Sequence, residues 1–389
     1  MNTQVSLSAA ELDRNNYQAA RDSSDKDLLI YAARKSGRSV MQIQREFNKM
    51  AKSHSRLNFV EYIRNGLYRY DDFTDEQRAA YISNDRHWEF AHQCNNRGWT
   101  GVAEDKALAT MLLSAGDIPV PPILGLIDTS ARIYPGLEKI DTSEKLRDFV
   151  YANKDSRLFG KIVDGMVSFG AFRIEYADAT HLTCSGHAPM TYDKFMSDFL
   201  GNNAYVLQKV LTNHAEIAPY ASALATVRMI NLVSDDGVFC PQAIIKLPQG
   251  SNIADAFWRS GNLASEVDVE TGVIHSIAER EVQEVKFHDE HPVTVGLKGL
   301  KLPFWKELCD LNTRAAQLFA PIRYQSTDIA ITPDGPVIVE LNYGGGFDLP
   351  QYASGRGMLT PEVRSFFEKN GCDIGSESKK KRSFLWRGQ

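Results

Sequence analysis

Apolar residues occupy every second position in both halves of the segment TDIAITPDGPVIVELN, residues 327–342. A Pro-Asp-Gly sequence, residues 333–335, separates the two halves. Alternation with a period of two residues on both sides of a turn predicts an antiparallel β-hairpin. A three-residue loop with its glycine in the left-handed conformation fits this turn. The register of that loop pairs Thr332 with Pro336, Ala330 with Ile338, and Asp328 with Glu340.

Two carboxylates face each other in this register, and like charges placed opposite each other on a ladder repel. A cation between Asp328 and Glu340 would remove the repulsion. Asn342 shares the face of Glu340, because side chains alternate along a strand, and it adds a neutral oxygen. Such oxygens suit Mg²⁺, which proteins hold through one or two carboxylates together with substrate phosphates. The alternative is a solvated hairpin edge with ordinary surface acids.

The front of the chain carries a helical pattern with few strand signals. Ser24 precedes the segment DLLIYAARKS as an N-cap, and Gly37 ends it. Thr74 and Gln77 have the spacing of a capping box ahead of RAAYI. The pattern contains no evident catalytic cluster. We therefore expect residues 1–98 to form a helical N-terminal region.

Strand and helix patterns mix after residue 98. Helices are predicted in AEDKALATMLLSAG, DTSEKLRDFVYAN and LPFWKELCDLNTRAAQLFA, and strands in LFGKI, FRIEY, NAYVLQKVL, ATVRMINLVS and VFCPQAIIKL. Without strict βαβ alternation, this order favours an α+β fold with α+β subdomains over a doubly wound sheet. We expect it to extend to residue 370 and to be followed by a basic, flexible tail, residues 371–389.

Composition narrows the class of protein. A chain of 389 residues has room for two or three domains. Its formal net charge of −5 gives no indication of a basic surface, which argues against a nucleic-acid partner. The five cysteines are scattered without a CxxC pair, as in reduced cytosolic proteins. No stretch reaches the roughly 18 apolar residues of a membrane span, and the N-terminus has no signal pattern, so we expect a cytoplasmic location.

Two lysines are candidates for phosphate contacts. Lys106 begins a predicted helix, and Lys161 ends a predicted strand directly before a turn that contains Gly165 and Gly170. Lysine offers a point charge to phosphate, and a glycine-bearing turn lets backbone N–H groups approach it closely. Each feature alone is a weak signal. Together with the hairpin acids they suggest a nucleotide site that also holds a metal ion.

The order of these motifs resembles the ATP-grasp superfamily, and most closely the sugar-transfer-associated ATP-grasp family. The resemblance is carried by the DK pair with IPVP, FGK with its glycine turn, VLQKVL, ATVR and the final DIAITPDGPVIVELN. It implies two α+β subdomains that clasp ATP after the N-terminal helices. It also implies ATP and Mg²⁺ as cofactors.

The resemblance assigns roles to individual residues. Lys106 and Lys161 would contact the ATP phosphates, under a flap that runs from Asp164 to Gly170 and includes Gly165. Arg228 would stabilise the transferred phosphoryl group together with Lys161. The remaining assignments are a hinge that binds adenine (Gln208, Lys209, Val210), a ribose contact (Glu216) and the metal ligands (Asp328, Glu340, Asn342).

This sequence departs from the family pattern at several positions. The flap is poorer in glycine than usual and contains MVSF. Ser326 stands where many ATP-grasp ligases have an arginine, so Arg228, Arg173 or Lys246 would take that role. Trp258 and Arg259 in ADAFWRSGNLASEVD indicate a changed substrate pocket.

Several residues have competing interpretations. Arg228 suits either phosphoryl transfer or a structural ion pair. Lys246 is either a phosphate contact or a solvated strand end. His288 and His291 lie in a loop without further ligands, which argues against zinc. The glycine run at residues 343–348 fits backbone exposed to an acceptor substrate near Gln351 and Arg356, or a flexible loop.

The predicted function is an ATP- and Mg²⁺-dependent ligase that activates a carboxylate as an acyl phosphate and joins it to an amine. Both substrates would be small molecules, and the family name suggests sugar-linked ones in polysaccharide modification. The first alternative is a phosphotransferase acting on a hydroxyl or sugar. The second is a non-catalytic nucleotide-binding regulatory module. The sequence leaves the oligomeric state open.

Overall fold

Two β-sheets of seven strands each organise the protein in a computed structural model that describes residues 7–19 and 24–375. The strands are β1 (Ile123–Ile127), β2 (Lys139–Ile140), β3 (Leu158–Ile162), β4 (Phe172–Ala177), β5 (His181–Cys184), β6 (Met190–Thr191), β7 (Tyr205–Lys209), β8 (Thr226–Ser234), β9 (Gly237–Leu247), β10 (Leu263–Val267), β11 (Ala278–Arg280), β12 (Val285–Phe287), β13 (Tyr324–Thr332) and β14 (Gly335–Asn342). With helices against both sheets, the predicted α+β class is confirmed.

The first sheet has the strand order β2-β1-β7-β3-β4-β5-β6, and the second has the order β12-β11-β10-β9-β8-β13-β14. In the first sheet β1 and β2 run parallel, while the other neighbouring strands are antiparallel. The second sheet is antiparallel throughout. The predicted strand pair β8 and β9 lies at the centre of the second sheet. The predicted hairpin β13 and β14 lies next to this pair, at the edge.

Helices cover the sheets. They are α1 (Ala9–Ala19), α2 (Asp25–Ser36), α3 (Val40–Ala51), α4 (Phe59–Arg64), α5 (Asp75–Ala79), α6 (His87–Cys94), α7 (Arg97–Glu104), α8 (Lys106–Ala115), α9 (Ser143–Ala152), α10 (Tyr192–Lys194), α11 (Trp305–Leu318), α12 (Asp348–Ser354) and α13 (Pro361–Lys369). Short 3₁₀ or π turns occur at Tyr70–Asp72, Asn84–Arg86, Phe195–Leu200 and Ala218–Tyr220.

Each main helix packs its row of apolar residues against one of the two sheets. In α11, Leu308, Leu311 and Ala315 recur at helical spacing and are buried in the core of the second sheet. In α9, Leu146 and Phe149 do the same in the core of the first sheet. The cleft between the sheets is thus framed by two separately packed cores.

The predicted caps of the N-terminal helices are confirmed. The Ser24 hydroxyl accepts a hydrogen bond from the Asp27 N–H at 3.1 Å, and Gly37 ends α2 with φ of +68°. Thr74 and Gln77 form the capping box of α5. Helices α2 to α4 share a core of their own that includes Leu28, Ile43 and Tyr62 (the main buried members).

The region predicted as residues 1–98 does not pack as one body. In α1, Ala9 and Ala10 lie in the core of the first sheet. In α6, Phe90 and Ala91 lie in a core of the second sheet. Only the middle of the region therefore forms a separate helical layer, since the apolar faces of α1 and α6 match the two sheets. A boundary at residue 98 stays a prediction.

The hairpin register differs from the prediction at two of three pairs. Thr332 lies opposite Gly335, so Pro333 and Asp334 make a two-residue turn. The Thr332 hydroxyl closes this turn by donating to the Gly335 carbonyl at 2.8 Å. Ala330 consequently pairs with Val337 and not with Ile338. A bulge at Val339 then restores the predicted pairing of Asp328 with Glu340.

The C-terminal segment is ordered further than predicted. Cys372 and Ile374 are buried in a core of the second sheet, so a flexible tail does not begin at residue 371. The rest of that predicted tail, residues 376–389, lies outside the described residues. All five cysteines are free thiols. No helix in the described ranges is long and apolar enough to cross a membrane.

Candidate active site

A cavity of about 310 Å³ lies between the two sheets. Lys161 reaches it from β3 of the first sheet, and Lys106 reaches it from the first turn of α8. Asp328 and Glu340 line it from β13 and β14 of the second sheet. The two lysines and two acids that the sequence singled out therefore share one cavity.

Arg228, Asp328 and Glu340 form a row across three neighbouring strands. Asp328 lies opposite Arg228 of β8 on one side and opposite Glu340 of β14 on the other. Arg228 donates two hydrogen bonds to the Asp328 carboxylate, from Nε to Oδ1 at 2.9 Å and from Nη2 to Oδ2 at 2.7 Å. Burial raises the pKa of Asp328, but Arg228 and Lys246 outweigh it and hold that pKa well below its usual range.

Lys246 completes the charge balance of this row. Its Nζ lies 2.9 Å from Asp255 and 3.1 Å from Asp328, and its side chain is 5% exposed. The alternative of a solvated strand end is therefore wrong. The hydroxyl of Thr226, opposite Lys246 on β8, also bonds Asp255. Asp255 was missed because it lies in a loop, where no hydrophobic periodicity marks it.

Lys106 bridges the flap and the acid row. Its Nζ donates to the Gly165 carbonyl at 2.6 Å and lies 3.1 Å from a Glu340 carboxylate oxygen. Burial raises the pKa of Glu340, but the ammonium groups of Lys106 and Lys161 lower it below its usual value. Asp105 caps α8 just before Lys106, which fixes the direction in which the lysine leaves the helix.

Lys161 is held differently from Lys106. No carboxylate among the described residues lies within 4 Å of its Nζ. Burial lowers the pKa of Lys161, and the nearby Lys106 adds to this effect against the attraction of Glu340, Asp255 and Asp328. Its charge would therefore gain from an anionic ligand in the cavity.

Asp328, Glu340 and Asn342 fit a magnesium site by the chemistry of their oxygens. Within the described residues no group of three or more His, Cys, Asp or Glu side chains could hold a metal ion. Two acids and an amide thus need further oxygens, which is the usual arrangement for Mg²⁺ with substrate phosphates. The Asn342 Nδ2 is buried without a partner among the described residues, but it is a hydrogen-bond donor and cannot bind a cation. The Oδ1 of Asn342 is the atom that would face the metal ion.

The flap over the cavity, residues 164–170, is held from two directions. Val167 and Ser168 have positive φ of +51° and +58°, a conformation that non-glycine residues seldom adopt. Trp258 Nε1 donates to the Val167 carbonyl at 3.1 Å. Arg259 Nη2 donates to the Ser168 carbonyl at 3.3 Å. The Trp258-Arg259 pair, expected to mark a changed pocket, thus also fixes the flap backbone.

Helix α1 holds the flap from the other direction. The Asp13 carboxylate accepts a hydrogen bond from the Gly170 N–H at 2.9 Å and one from Arg259 Nη2 at 2.9 Å. The rings of Tyr17, Phe169 and Trp258 contact one another with centroids 5.4 to 5.7 Å apart. No sequence motif pointed to Asp13, because its contacts lie more than 150 residues away along the chain.

The predicted adenine hinge lines the cavity, but two of its hydrogen-bonding groups are engaged. Gln208 is buried and donates to the Pro121 carbonyl at 3.1 Å. The Val210 N–H donates to the Arg157 carbonyl at 2.9 Å, so it is not available to a base. Lys209 and Leu211 also line the cavity. Glu216, predicted to reach ribose, instead lines a separate depression beside Phe304 and Trp305.

A second cavity of about 230 Å³ adjoins the first. Both are lined by Lys106, Gly165, Asp255, Asp328 and Glu340, so the acid row lies at their junction. The second cavity alone is lined by Arg228, Lys246, Asn342 and the glycine run 344–346. Aromatic rings of Trp88, Phe257, Trp258 and Tyr343 form much of its wall. The glycine run is thus exposed to a cavity, as expected.

The other residues singled out in the sequence lie elsewhere or have structural partners. His288 bonds Glu279 and His291 bonds Gln249, and neither belongs to a metal cluster in the described ranges. Gln351 is buried and bonds the backbone of Ile82, so it is not a substrate contact.

Two arginines that the sequence analysis named also have acidic partners. Arg173 lines the first cavity and pairs with Glu175, and Arg356 is exposed and pairs with Glu266. Ser326 is buried and donates to the Gly344 carbonyl at 2.9 Å.

Comparison with known proteins gives one family match. Residues 85–366 match the family described as sugar-transfer associated ATP-grasp. No curated protein matches the chain.

Several solved structures are similar in part. D-alanine–D-alanine ligase from Bacillus anthracis is 11% identical, with 71% of this chain and 69% of that chain covered and a TM-score of 0.38. D-alanyl-alanine synthetase A from Vibrio cholerae O1 is 12% identical, with 71% and 67% covered and a TM-score of 0.41. D-cycloserine synthetase is 14% identical, with 74% and 80% covered and a TM-score of 0.39. These values are too low to carry any functional argument.

Proposed function

Because the chain belongs to the sugar-transfer associated ATP-grasp family, we propose that it is an ATP-dependent ligase that joins a carboxylate to an amine. ATP and Mg²⁺ are the cofactors of this proposal. Both substrates are small molecules in the same proposal, with a sugar-linked acid as one candidate.

One observation carries the proposal. Lys106 and Lys161 meet Asp328 and Glu340 in a single cavity, although the pairs come from distant parts of the chain. The charged side chains that line this cavity are Lys106, Arg157, Lys161, Arg173 and Lys209 on the positive side and Asp255, Asp328 and Glu340 on the negative side. The excess of positive charge suits a triphosphate, and the oxygens suit its metal ion.

The residues divide into four groups in this proposal. Asp328, Glu340 and Asn342 would hold Mg²⁺, which supplies neutralisation of phosphate charge when bound. Lys106 and Lys161 bind phosphate oxygens. The flap excludes water from the phosphates, and the hinge at residues 208–211 lies along the base, with the Leu211 N–H as a candidate donor in place of Val210.

The reaction proceeds in two steps. A substrate carboxylate oxygen bonds to the γ-phosphorus of ATP, the bond from that phosphorus to the bridging oxygen breaks, and ADP leaves. An amine nitrogen then bonds to the carbonyl carbon of the acyl phosphate, the carbon–oxygen bond to phosphate breaks, and the nitrogen loses a proton. Arg228 and Lys161 stabilise the transferred phosphoryl group, so catalysis is positioning and charge neutralisation without a side-chain nucleophile.

A cytoplasmic location, participation in polysaccharide biosynthesis and the absence of a nucleic-acid partner are parts of the same proposal. Their support is the family name, the overall negative charge and the chemistry of a ligase that needs ATP.

The metal assignment is tested by titrating Mg²⁺ with a non-hydrolysable ATP analogue into Asp328→Asn and Glu340→Gln in a calorimeter. We expect each variant to bind about tenfold more weakly or worse, since a charged contact contributes roughly 1.5–3 kcal/mol. Asp334→Asn is the matched control, because Asp334 is an exposed acid at the turn of the same hairpin. Unchanged affinity in both site variants would contradict the proposal.

The reaction is tested by mass spectrometry on cell extract supplied with ATP and the protein. The proposal expects ADP, phosphate and a product that equals two precursors minus water. A phosphorylated product without free phosphate would instead select a phosphotransferase. Nucleotide binding without turnover across a broad panel of carboxylates and amines would select a regulatory module.

A further inference from the structure

Arg280 is a cation of the second cavity without an acidic partner in the part of the chain that the structure describes. It ends β11 and lines that cavity, half-buried. No carboxylate in the described ranges lies within 4 Å of its guanidinium, and no hydrogen bond from its side chain occurs there. Burial lowers the pKa of Arg280, and the neighbouring Arg64 lowers it further. Asp348 attracts Arg280 without reaching ion-pair distance.

The neighbouring Arg64 does not relieve this imbalance. Arg64 is 6% exposed, and its Nη2 donates to the Val282 carbonyl at 2.9 Å. Its Nε is buried without a partner among the described residues. The two guanidinium groups therefore repel each other, and neither has a carboxylate within 4 Å among the described residues. A charge withdrawn from water without a partner is costly, and an anion placed there would remove that cost.

The other end of the same cavity is balanced. Arg228 is paired with Asp328, and Lys246 is paired with both Asp328 and Asp255. Arg280 ends β11, which three strands (β10, β9 and β8) separate from Asp328 on β13, and it lines only the second of the two cavities. Arg280 thus lies away from the acid row, where the proposed reaction takes place.

We propose that Arg280 binds an anionic group, a carboxylate or a phosphate, of the carboxylate substrate, at the end opposite to the carboxylate that reacts. This inference rests on the proposed function only for the identity of the reacting end. The planar guanidinium suits both anions because each accepts two parallel hydrogen bonds from it. The substrate class is therefore a small molecule with an anionic group additional to the group that reacts, its body lying against the aromatic wall.

Matched synthetic ligands test this assignment on the full-length protein. The ligands are the α,ω-diacids from succinate to adipate, their monomethyl esters, and the ω-phosphono acid of the best length. Each is titrated in the presence of Mg²⁺ and a non-hydrolysable ATP analogue. Calorimetry gives the affinity, and the fluorescence of Trp88 and Trp258 reports occupancy because both line the cavity.

Wild-type protein is expected to bind the best diacid or phosphono acid at least about tenfold more tightly than the monoester. Tighter binding of the diacid would indicate that Arg280 binds a carboxylate, and tighter binding of the phosphono acid would indicate a phosphate. In Arg280→Gln the preference over the ester falls to within about twofold, and Arg280→Lys retains part of it. Arg356→Gln, which removes an exposed arginine that pairs with Glu266 of β10, keeps the full preference.

Three results would overturn the inference: a preference that survives in Arg280→Gln, equal affinity for acid and ester in wild-type protein, or no binding of any ligand. Circular dichroism and thermal unfolding show that the variants are folded. Failure of the ATP analogue to bind wild-type protein would instead overturn the proposed function. Because the acid-to-ester comparison can be repeated without nucleotide, the two failures are distinguishable.

Discussion

Lys161 makes nucleotide binding sensitive to pH. Burial lowers its pKa, and phosphate oxygens would restore the charged form. We therefore predict that the protein takes up a proton when it binds Mg²⁺ and ATP at pH values above the lowered pKa of Lys161. Affinity should fall as the pH rises through that pKa. Calorimetry in two buffers with different ionisation enthalpies measures the uptake directly.

Lys161→Met should abolish this proton uptake and weaken binding at all pH values. Lys154→Met is the control, since Lys154 is exposed near the same strand and should leave the uptake unchanged. Uptake of equal size in wild-type protein and Lys161→Met would show that another group is responsible.

Lys246 is predicted to stabilise the fold as well as the site. Its removal leaves the carboxylates of Asp255 and Asp328 buried with one cation fewer. Lys246→Met should lower the free energy of unfolding by about 3–5 kcal/mol, as for other buried pairs that lose one partner. Urea denaturation checks the value. Lys306→Met, which breaks an exposed pair on α11, should leave the midpoint unchanged.

The sequence revealed those site residues that lie within a predicted strand pattern. Asp328, Glu340 and Lys161 were found because alternation and turn residues fix the direction of their side chains. Asp255 and Asp13 were missed because their partners are distant in sequence and no local pattern marks them. The adenine hinge stays a prediction, and its Val210 N–H donates to the carbonyl of Arg157 beside β3, a contact that sequence alone does not specify.

At the element scale, α1 is predicted to control the flap. Asp13 ties α1 to Gly170 and Arg259, and each hydrogen bond to a charged group contributes roughly 1.5–3 kcal/mol. Asp13→Asn should therefore increase hydrogen exchange in peptides that cover residues 164–170, about tenfold or more. It should also speed release of the ATP analogue.

Arg14→Gln is the control for this experiment, because Arg14 is the exposed neighbour of Asp13 on the same helix. Exchange that rises equally in both variants would indicate general fraying of α1 and contradict a specific restraint on the flap.

Local sequence rules predicted most of the helices and strands, but they did not predict which sheet each helix packs against. The caps of α2 and α5 and the stripes of α9 and α11 follow from local rules that hold in isolation. The placement of α1 on one sheet and of α6 on the other depends on which apolar surfaces remain uncovered. Such information belongs to the assembled core and not to any single segment.

At the scale of the whole molecule, two independently packed cores carry opposite halves of the charged site. The first sheet brings Lys161 and the flap, and the second brings the acid row. The mixture of helices and strands in the sequence indicated α+β subdomains, and the family resemblance indicated that two of them meet. The contacts across the cleft, such as Lys106 with Gly165 and Glu340, required the three-dimensional structure.

The bulge at Val339 constrains how the length of this hairpin can vary. The two-residue turn and the extra residue at 339 together bring Glu340 and Asn342 to the cavity side. Loss of Val339 alone would remove the bulge and leave Asp328 opposite Glu340 in a regular ladder, because Ile338 already lies opposite Ile329. Gain of one residue between the turn and Ile338, without a further bulge, would instead shift the register by one and turn the Glu340 side chain to the other face. Related chains should therefore accept loss of the bulge residue, whereas a single insertion in this strand should come with a compensating deletion or a second bulge.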